Sequence, residues 1–132
     1  MKILVDTNIL ISAILFPKSK VTKALLYITD YHEIILCDRN IIEFREVLNR
    51  KKPEKLADAE VFLAELSYEL IPASYHAEKL IRDVKDQPIL NAAIIADVDI
   101  ILTGDKDFLS LEMKHPRCMS PAEFIEYEGI DF

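Results

Sequence analysis

Glycine is nearly missing from this chain of 132 residues, which has it only at Gly104 and Gly129. A GxGxxG dinucleotide turn and a Walker A phosphate loop each need several glycines at short, fixed spacing, because the backbone there must approach a phosphate closely. Two isolated glycines cannot build either motif. The sequence therefore excludes dinucleotide-binding proteins with a GxGxxG turn, and it excludes P-loop NTPases.

Cysteine is also scarce, since only Cys37 and Cys118 are present and they form no CxxC pair. Each lies in a short apolar stretch without nearby histidines, which predicts free, buried thiols in a reducing compartment. We therefore expect a cytoplasmic protein. No signal-like segment is evident, and the apolar run after Asn8 is far shorter than the roughly 18 residues that a membrane span needs, so no membrane association is expected.

An excess of positive charge is the third missing feature: 16 Lys and Arg residues stand against 23 Asp and Glu residues, which gives a net charge of −7. This balance excludes a broad basic surface for non-specific nucleic-acid binding. Any contact with a nucleic acid must then be local or assisted by a metal ion. Local basic groups that could attract phosphate are Lys18, Lys20, Arg39 and Lys106.

The composition that remains is typical of a globular protein. Hydrophobic residues make up 51% of the sequence and charged residues 30%, and a chain of this length can bury a proper core. No repeat, low-complexity tract or linker divides it. We therefore interpret residues 1–132 as a single domain.

The N-terminal stretch combines a short aliphatic run with the start of a helix. The run 3–5 is typical of a buried parallel strand, and Asp6 and the two residues after it are types that cap helices. A helix then continues to Phe16, where Pro17 ends it. Asp6 is thereby placed at the carboxyl end of a strand, the edge at which open α/β sheets bind ligands.

Strands and helices alternate along the rest of the chain. Further strands are predicted near residues 32–37, 69–72, 99–103 and 116–119. Helices are predicted over residues 19–29, 54–70, 75–81, 89–96 and 121–127, and a further helix follows Asp38, has its apolar stripe over residues 41–48 and runs out at residues 50–53. Asp38 and Asp86 are the predicted N-caps, and Pro88 lies in the turn after Asp86. Because parallel neighbours need crossover connections, this alternation indicates an α/β fold. We expect three α/β/α layers around a mainly parallel sheet of four to five strands.

Several acidic residues fall at the carboxyl ends of predicted strands or near helix starts: Asp6, Glu43, Asp86 and Asp105, with Asp107 as a fifth candidate. Taken singly, each has a structural explanation, since Asp86 can cap a helix and Glu43 can face solvent. Taken together, they would repel one another by about 1 kcal/mol per pair at 4 Å even in water. A divalent cation is the simplest source of compensating charge.

The residue types in this set indicate which ion it would hold. Oxygen ligands without converging histidine or cysteine favour Mg²⁺ or Mn²⁺ over zinc. Such an ion lowers the pKa of a bound water to make a nucleophile, and a second ion about 4 Å away can stabilise a leaving oxygen. No Ser/His/Asp or Cys/His set competes, because the three histidines are scattered. The acids therefore favour phosphoryl chemistry.

These motifs resemble those of the PIN (PilT N-terminus) domain, in particular its VapC-like toxin group. The resemblance rests on four segments in the same order: residues 5–8, residues 42–48 around Glu43, Asp86 before an alanine-bearing helix, and residues 101–108. It extends over nearly the whole chain. The first and last segments are the specific parts, and the match at Glu43 is the weaker one.

The resemblance implies a metal-dependent endoribonuclease that cleaves single-stranded RNA as the toxin of a toxin–antitoxin pair, with a cognate antitoxin protein as partner. By this resemblance the catalytic residues and Mg²⁺ or Mn²⁺ ligands would be Asp6, Glu43, Asp86 and Asp105, and the groups that orient them would be Asn8, Thr103 and Asp107. Relatives often have two adjacent acids where this chain has Asp86-Gln87. The third ligand therefore rests on Asp86 alone.

Two other functions remain open at this point. A phosphoacceptor receiver domain also gathers acids, a threonine and a lysine at strand ends, but it needs paired acids after its first strand, where this chain has Asp6-Thr7-Asn8. A catalytically inactive PIN-like interaction module is the other alternative.

A homodimer is also expected. The predicted helices 19–29 and 54–70 carry more apolar residues than one short sheet needs to cover, and apolar surface left over on a soluble protein usually marks an interface.

Overall fold

The computed structural model describes residues 1–75 and 86–132 of the chain. These residues form one five-stranded sheet, whose strands are β1 (Lys2–Val5), β2 (Glu33–Cys37), β3 (Tyr68–Ile71), β4 (Ile100–Leu102) and β5 (Arg117–Met119). The strand order is β3-β2-β1-β4-β5, and all four neighbouring pairs are parallel. The predicted parallel sheet is therefore confirmed, with five strands.

Helices connect the strands. They are α1 (Thr7–Leu15), α2 (Lys20–Tyr31), α3 (Asp38–Lys51), α4 (Leu56–Glu65), α5 (Gln87–Ile95), α6 (Lys106–Leu109) and α7 (Pro121–Glu128), and a short 3-10 helix (Pro53–Lys55) precedes α4. None of the helices in the described ranges has the length and apolar character needed to cross a membrane. The predicted helix 75–81 falls almost wholly on residues 76–85, which lie outside the described residues.

Alternate residues of the central strand β1 pack on opposite faces of the sheet. Ile3 and Val5 join the core that α1, α2, α3, α4 and α7 cover, whereas Leu4 joins the core beneath α5 and α6. Because both faces are buried, the strand sequence is a continuous aliphatic run without polar alternation. This arrangement is the predicted three-layer α/β/α architecture.

Side-chain caps fix the starts of several helices. The carboxylates of Asp6 and Asp105 and the hydroxyls of Ser19 and Ser120 accept hydrogen bonds from backbone N–H groups at the starts of α1, α6, α2 and α7. Each cap satisfies a donor that has no partner within the helix. The capping interpretation of Asp6 is thus correct for its local structure, and it accounts for only one of the contacts of this side chain.

The prediction that Asp38 caps α3 is wrong, because the helix begins one residue earlier than expected. Cys37 is the N-cap, and the Asn40 side chain accepts a hydrogen bond from the Cys37 N–H at 3.3 Å. The Asp38 carboxylate instead accepts hydrogen bonds from the N–H groups of Arg39 at 2.7 Å and Ala73 at 3.0 Å. Asp38 therefore ties the start of α3 to the chain beyond β3.

The predicted helix 54–70 is shorter in the structure. Its regular part ends at Glu65, because Leu66 has extended backbone angles (φ −74°, ψ 126°) and the chain then enters β3 at Tyr68. Leu66 packs against the hydrophobic core. The apolar residues near the end of this segment therefore lie in the connection to the edge strand β3 and in that strand, and they do not extend the helix.

The sheet order determines where a ligand can bind. The chain runs outward from β1 to β2 and β3 on one side, and to β4 and β5 on the other, so the order reverses between β1 and β4. Ligands of open α/β sheets bind at such a switch point, beyond the carboxyl ends of the strands. Receiver domains have the strand order 2-1-3-4-5, so the observed order argues against the receiver alternative.

Candidate metal centre

Asp6 lies at this switch point, directly after β1, and only 8% of its surface is exposed. Its Oδ1 atom accepts hydrogen bonds from the Thr7 N–H at 2.8 Å and the Asn40 amide at 3.3 Å. Its Oδ2 atom accepts one from the Thr103 hydroxyl at 2.7 Å. A carboxylate offers roughly four acceptor positions. Contacts within the protein therefore fix the orientation of this carboxylate and leave Oδ2 with spare capacity.

Thr103 connects the two acids that follow the central strands. Its hydroxyl donates to Asp6 Oδ2 and accepts the Asp105 N–H at 3.0 Å, and the residue is fully buried. A single side chain thus sets the position of Asp6 relative to the backbone that carries Asp105. This is the geometry expected of an orienting group, and the functional role predicted for Thr103 stays a prediction.

Asn40 is a contact of Asp6 that the sequence analysis missed. The side chain is fully buried, donates to Asp6 Oδ1 and to the Thr7 hydroxyl at 3.2 Å, and accepts the Cys37 N–H. A signal was present, because Asn40 lies four residues before Phe44 and eight before Leu48, in the buried stripe of α3. A polar residue in an apolar stripe usually has specific hydrogen-bond partners.

Removing the Asn40 side chain should destabilise the metal-free protein. Asn40→Ala leaves the buried Cys37 N–H and Asp6 carboxylate with fewer partners, which costs about 1 to 3 kcal/mol of unfolding free energy. Urea denaturation at pH 7 measures this loss. Asn49→Ala is a matched control on the exposed side of the same helix, and it should change the unfolding free energy by less than about 0.5 kcal/mol. Equal effects of the two substitutions would contradict the assignment.

Burial and charge make Asp6 a poor place for an isolated negative charge. Burial raises the pKa of the Asp6 carboxyl, and the negative charge of Asp105 raises it further. The hydrogen bonds from Thr103 and Thr7 oppose this effect and lower the pKa. A cation at the carboxyl edge would favour the ionised form of Asp6, because an opposite charge nearby stabilises a carboxylate.

Three further carboxylates come together at the same edge. Asp86 precedes α5, Asp105 precedes α6, and Asp107 lies in the first turn of α6. One oxygen of each lies within 4.8 Å of the others. Asp107, which was expected as a fifth candidate acid and as an orienting group, contributes an oxygen to the cluster itself. Within the cluster, Asp105 Oδ1 accepts a hydrogen bond from the Asp107 N–H at 2.8 Å.

Asp86 lies at the start of α5, but its side chain does not cap that helix. It occupies the predicted N-cap of α5, and Pro88 follows in the first turn, but the Asp86 side chain makes no capping hydrogen bond to that helix. Only 9% of the residue is exposed. A nearly buried acid that does not cap its helix, beside two other acids, is the arrangement that a bound cation would explain.

Glu43 lies in the wall of a cleft that opens over these acids. The cleft has a volume of about 470 Å³ and is lined by Arg39, Ile42, Glu43, Glu46, Val47, Arg50, Asp86 and Asp105. The Glu43 side chain is exposed and is not one of the three clustered carboxylates. The structure therefore brings Asp86 and Asp105 together closely, and places Glu43 in the lining of the same cleft.

Asn8 lies next to the segment that carries Asp105. A Cβ atom at position 104 would come within 3.1 Å of the Asn8 amide nitrogen, so Gly104 allows the two chain segments to approach. The Asn8 side chain is exposed. Its predicted role in orienting the acids stays a prediction.

The two cysteines are free, as predicted, and Cys37 is buried, whereas Cys118 is only partly buried. Burial raises the pKa of each thiol to about 11, and the negative charge of Asp6 contributes at Cys118. Both are therefore neutral thiols at pH 7 and poor metal ligands. The donor set at the carboxyl edge consists of carboxylate oxygens, which suits a hard divalent cation such as Mg²⁺ or Mn²⁺.

Comparisons with known proteins give a match to the sequence and a match to the fold. The family model of the PIN domain matches residues 2–107. Among curated proteins, no sequence matches. Among solved structures, the chain is similar to one from the crystal structure of VapBC2 from Rickettsia felis bound to a DNA fragment from their promoter, with a TM-score of 0.69 and 19% sequence identity. The similarity covers 91% of this chain and 98% of that one.

Proposed function

The chain belongs to the PIN domain family, and on that premise we propose that it is a metal-dependent endoribonuclease that hydrolyses single-stranded RNA. PIN domains are generally nucleases. The observation that carries the proposal is the convergence of Asp86, Asp105 and Asp107 within 4.8 Å at the switch point of the sheet. Asp6 lies near enough to Asp105 for the negative charge of Asp105 to raise the pKa of Asp6.

The metal ligands we propose are Asp6, Glu43, Asp86 and Asp105, with Asp107 as a further candidate because its carboxylate lies in the cluster. When bound, Mg²⁺ or Mn²⁺ supplies a water of lowered pKa and positive charge for the phosphate oxygens. The protein would contribute orientation. Thr103 donates a hydrogen bond to one oxygen of the Asp6 carboxylate and Asn40 donates to the other. The carboxylate therefore needs little reorganisation when a ligand binds.

We also propose that the chain is the toxin of a VapC-like toxin–antitoxin pair and works in the cytoplasm. The order of its motifs supports this group, and the similar Rickettsia felis structure is a VapBC2 complex with promoter DNA. A cognate antitoxin would then be the protein partner. An inactive PIN-like interaction module is the outcome to be tested against this proposal.

A homodimer fits the exposed apolar residues of two helices. Leu26 and Tyr31 on α2 and Val61 on α4 are each about half exposed or more (49%, 68% and 55%). Apolar side chains of this size on helix surfaces are candidates for an interface between two copies. Sedimentation at tens of micromolar should give a dimer, and a monomer at that concentration would count against it.

A substrate panel tests the proposed function. With Mn²⁺ present, we expect cleavage of an unstructured single-stranded RNA, and slower cleavage of the same sequence held in a duplex, because a single strand can bring its backbone closer to the sheet edge. Gel analysis of end-labelled oligonucleotides measures both rates. Equal cleavage of both forms would contradict the single-strand preference, and cleavage of neither would favour the inactive module.

A further inference from the structure

Two arginines bracket the acids on one face of α3. Arg39 and Arg50 are eleven positions apart in this helix, which is about three turns, so they project from the same side and lie roughly 16 Å apart along the axis. Glu43 lies four residues after Arg39 and so belongs to the same face. The helix therefore presents acidic groups between two positive ends.

Both arginines line the cleft together with Glu43, Asp86 and Asp105. Arg39 was expected to attract phosphate, whereas Arg50 was missed, and the other basic residues named for that role, Lys18, Lys20 and Lys106, are not among the residues that line this cleft. Arg50 could have been found from its helical spacing to Arg39 and Glu43. Among the described residues, the lining thus supplies two guanidinium groups and four carboxylates to the cleft.

Neither arginine is engaged in an ion pair within residues 1–75 and 86–132. If they served only to stabilise the helix, each could pair with the glutamate four residues away, Glu43 for Arg39 and Glu46 for Arg50. Arg45 on the same helix behaves differently, because it binds Glu60 through two hydrogen bonds of 2.6 and 3.1 Å. Arg39 and Arg50 are exposed cations available to a ligand.

We propose that Arg39 and Arg50 bind two backbone phosphates of one RNA strand that lies along α3. The phosphodiester to be cleaved then lies between them, over the carboxylates. A guanidinium fork matches the oxygens of a phosphate, and an acidic chain of net charge −7 needs such local contacts to hold a polyanion. The proposal deepens the proposed function, on which its ribonuclease context rests.

Salt dependence of RNA binding tests the two contacts separately from catalysis. A labelled single-stranded RNA of about ten nucleotides is titrated, in Mn²⁺ and a series of KCl concentrations, with Asp105→Asn protein, in which cleavage should be blocked. Each phosphate contact contributes about 0.7 to the slope of log K against log salt for a single strand. Arg39→Gln and Arg50→Gln should each lower the slope by about 0.7, and each should weaken binding about fivefold at 0.1 M salt.

Arg45→Gln is the matched control, since it removes the same charge from the same helix outside the cleft. It should leave the slope unchanged. Equal slope changes in all three variants, unchanged slopes for Arg39→Gln and Arg50→Gln, or no measurable RNA binding would each overturn the proposal. Cleavage by the parent protein is measured in parallel. If the slopes change as predicted but the parent protein does not cleave RNA, the nuclease function is refuted and the arginine contacts stand. If the parent protein cleaves RNA but the slopes of the arginine variants are unchanged, only the arginine contacts are refuted.

Discussion

Replacing Asp6 or Asp105 by asparagine should lower the rate of RNA cleavage about a thousandfold or more, since a metal ion contributes several kcal/mol to the transition state and each 1.4 kcal/mol is a factor of ten. Asparagine has nearly the size of aspartate and removes the charge that attracts the cation. At position 6 its amide oxygen can still accept the Thr7 N–H, which donates to Asp6 Oδ1 at 2.8 Å. The helix cap should therefore survive while the metal ligand is lost.

Initial cleavage rates with saturating Mn²⁺ measure this effect. Asp30→Asn is a suitable control, because Asp30 is an exposed acid in α2 and its substitution changes the net charge by the same amount. The control should cleave at the parental rate. If Asp6→Asn and Asp105→Asn also did so, the two carboxylates would be helix caps and no more.

Binding of Mn²⁺ should raise the melting temperature of the protein at pH 7. A ligand at about a hundred times its dissociation constant stabilises the folded state by about 2.7 kcal/mol, which corresponds to a rise of roughly 10 °C for a domain of this size. Thermal unfolding with Mn²⁺ and with chelator measures the difference. The rise should be much smaller in Asp6→Asn, so an undiminished rise in that variant would exclude Asp6 as a ligand.

Lowering the pH should have opposite effects on the stability of the metal-free protein and on the stability gained from bound metal. Burial raises the pKa of Asp6 in the folded state above its ordinary value of 3.8, so the folded protein binds this proton more tightly than the unfolded chain does. The contribution of Asp6 to stability is thus fully present below pH 3.8 and is lost as the pH rises through the raised folded pKa. Protons compete with the metal in this same window. On acidification from pH 7, Asp6 should therefore stabilise the metal-free protein while the gain from Mn²⁺ declines.

Asp6→Asn removes this proton linkage. The metal-free variant should melt at a higher temperature than the parent at pH 7, because a buried charge near Asp105 is replaced by a neutral amide. Its melting temperature should also respond less to pH between 3.8, the ordinary pKa of Asp6, and the raised pKa of the folded state. If the melting temperature of the variant depended on pH as strongly as that of the parent, other titrating groups would be responsible for the pH dependence.

Sequence patterns predicted the fold because its signals are local. Aliphatic runs such as 3–5, followed by capping residues, mark strands that are buried on both faces, and the parallel connections then follow from the helices between them. The rule that strand ends meet at one edge placed Asp105 there, and Asp86, which was predicted at a helix start, lies in the same cluster. Each of these inferences needs only residue type and spacing.

The parts that sequence patterns missed depend on positions to within one residue or on side-chain direction. The cap of α3 moved from Asp38 to Cys37, and the pairing of Asn40 with Asp6 joins residues 34 positions apart. The sequence named Asp107 only as a fifth candidate, because its place in the acid cluster depends on the first turn of α6. Spacing alone does not encode such contacts, because they arise only when distant segments pack.

The most direct test of the central claim is to strip the protein of metal with a chelator and follow cleavage of a single-stranded RNA before and after Mn²⁺ is added. Asp105→Asn protein purified in the same way controls for contaminating nucleases. If the acids at the carboxyl edge form a catalytic metal centre, cleavage should be absent in chelator, should return with Mn²⁺ and should remain absent in the variant. Cleavage by the parent at the same rate in chelator, or no cleavage with Mn²⁺, would contradict the claim.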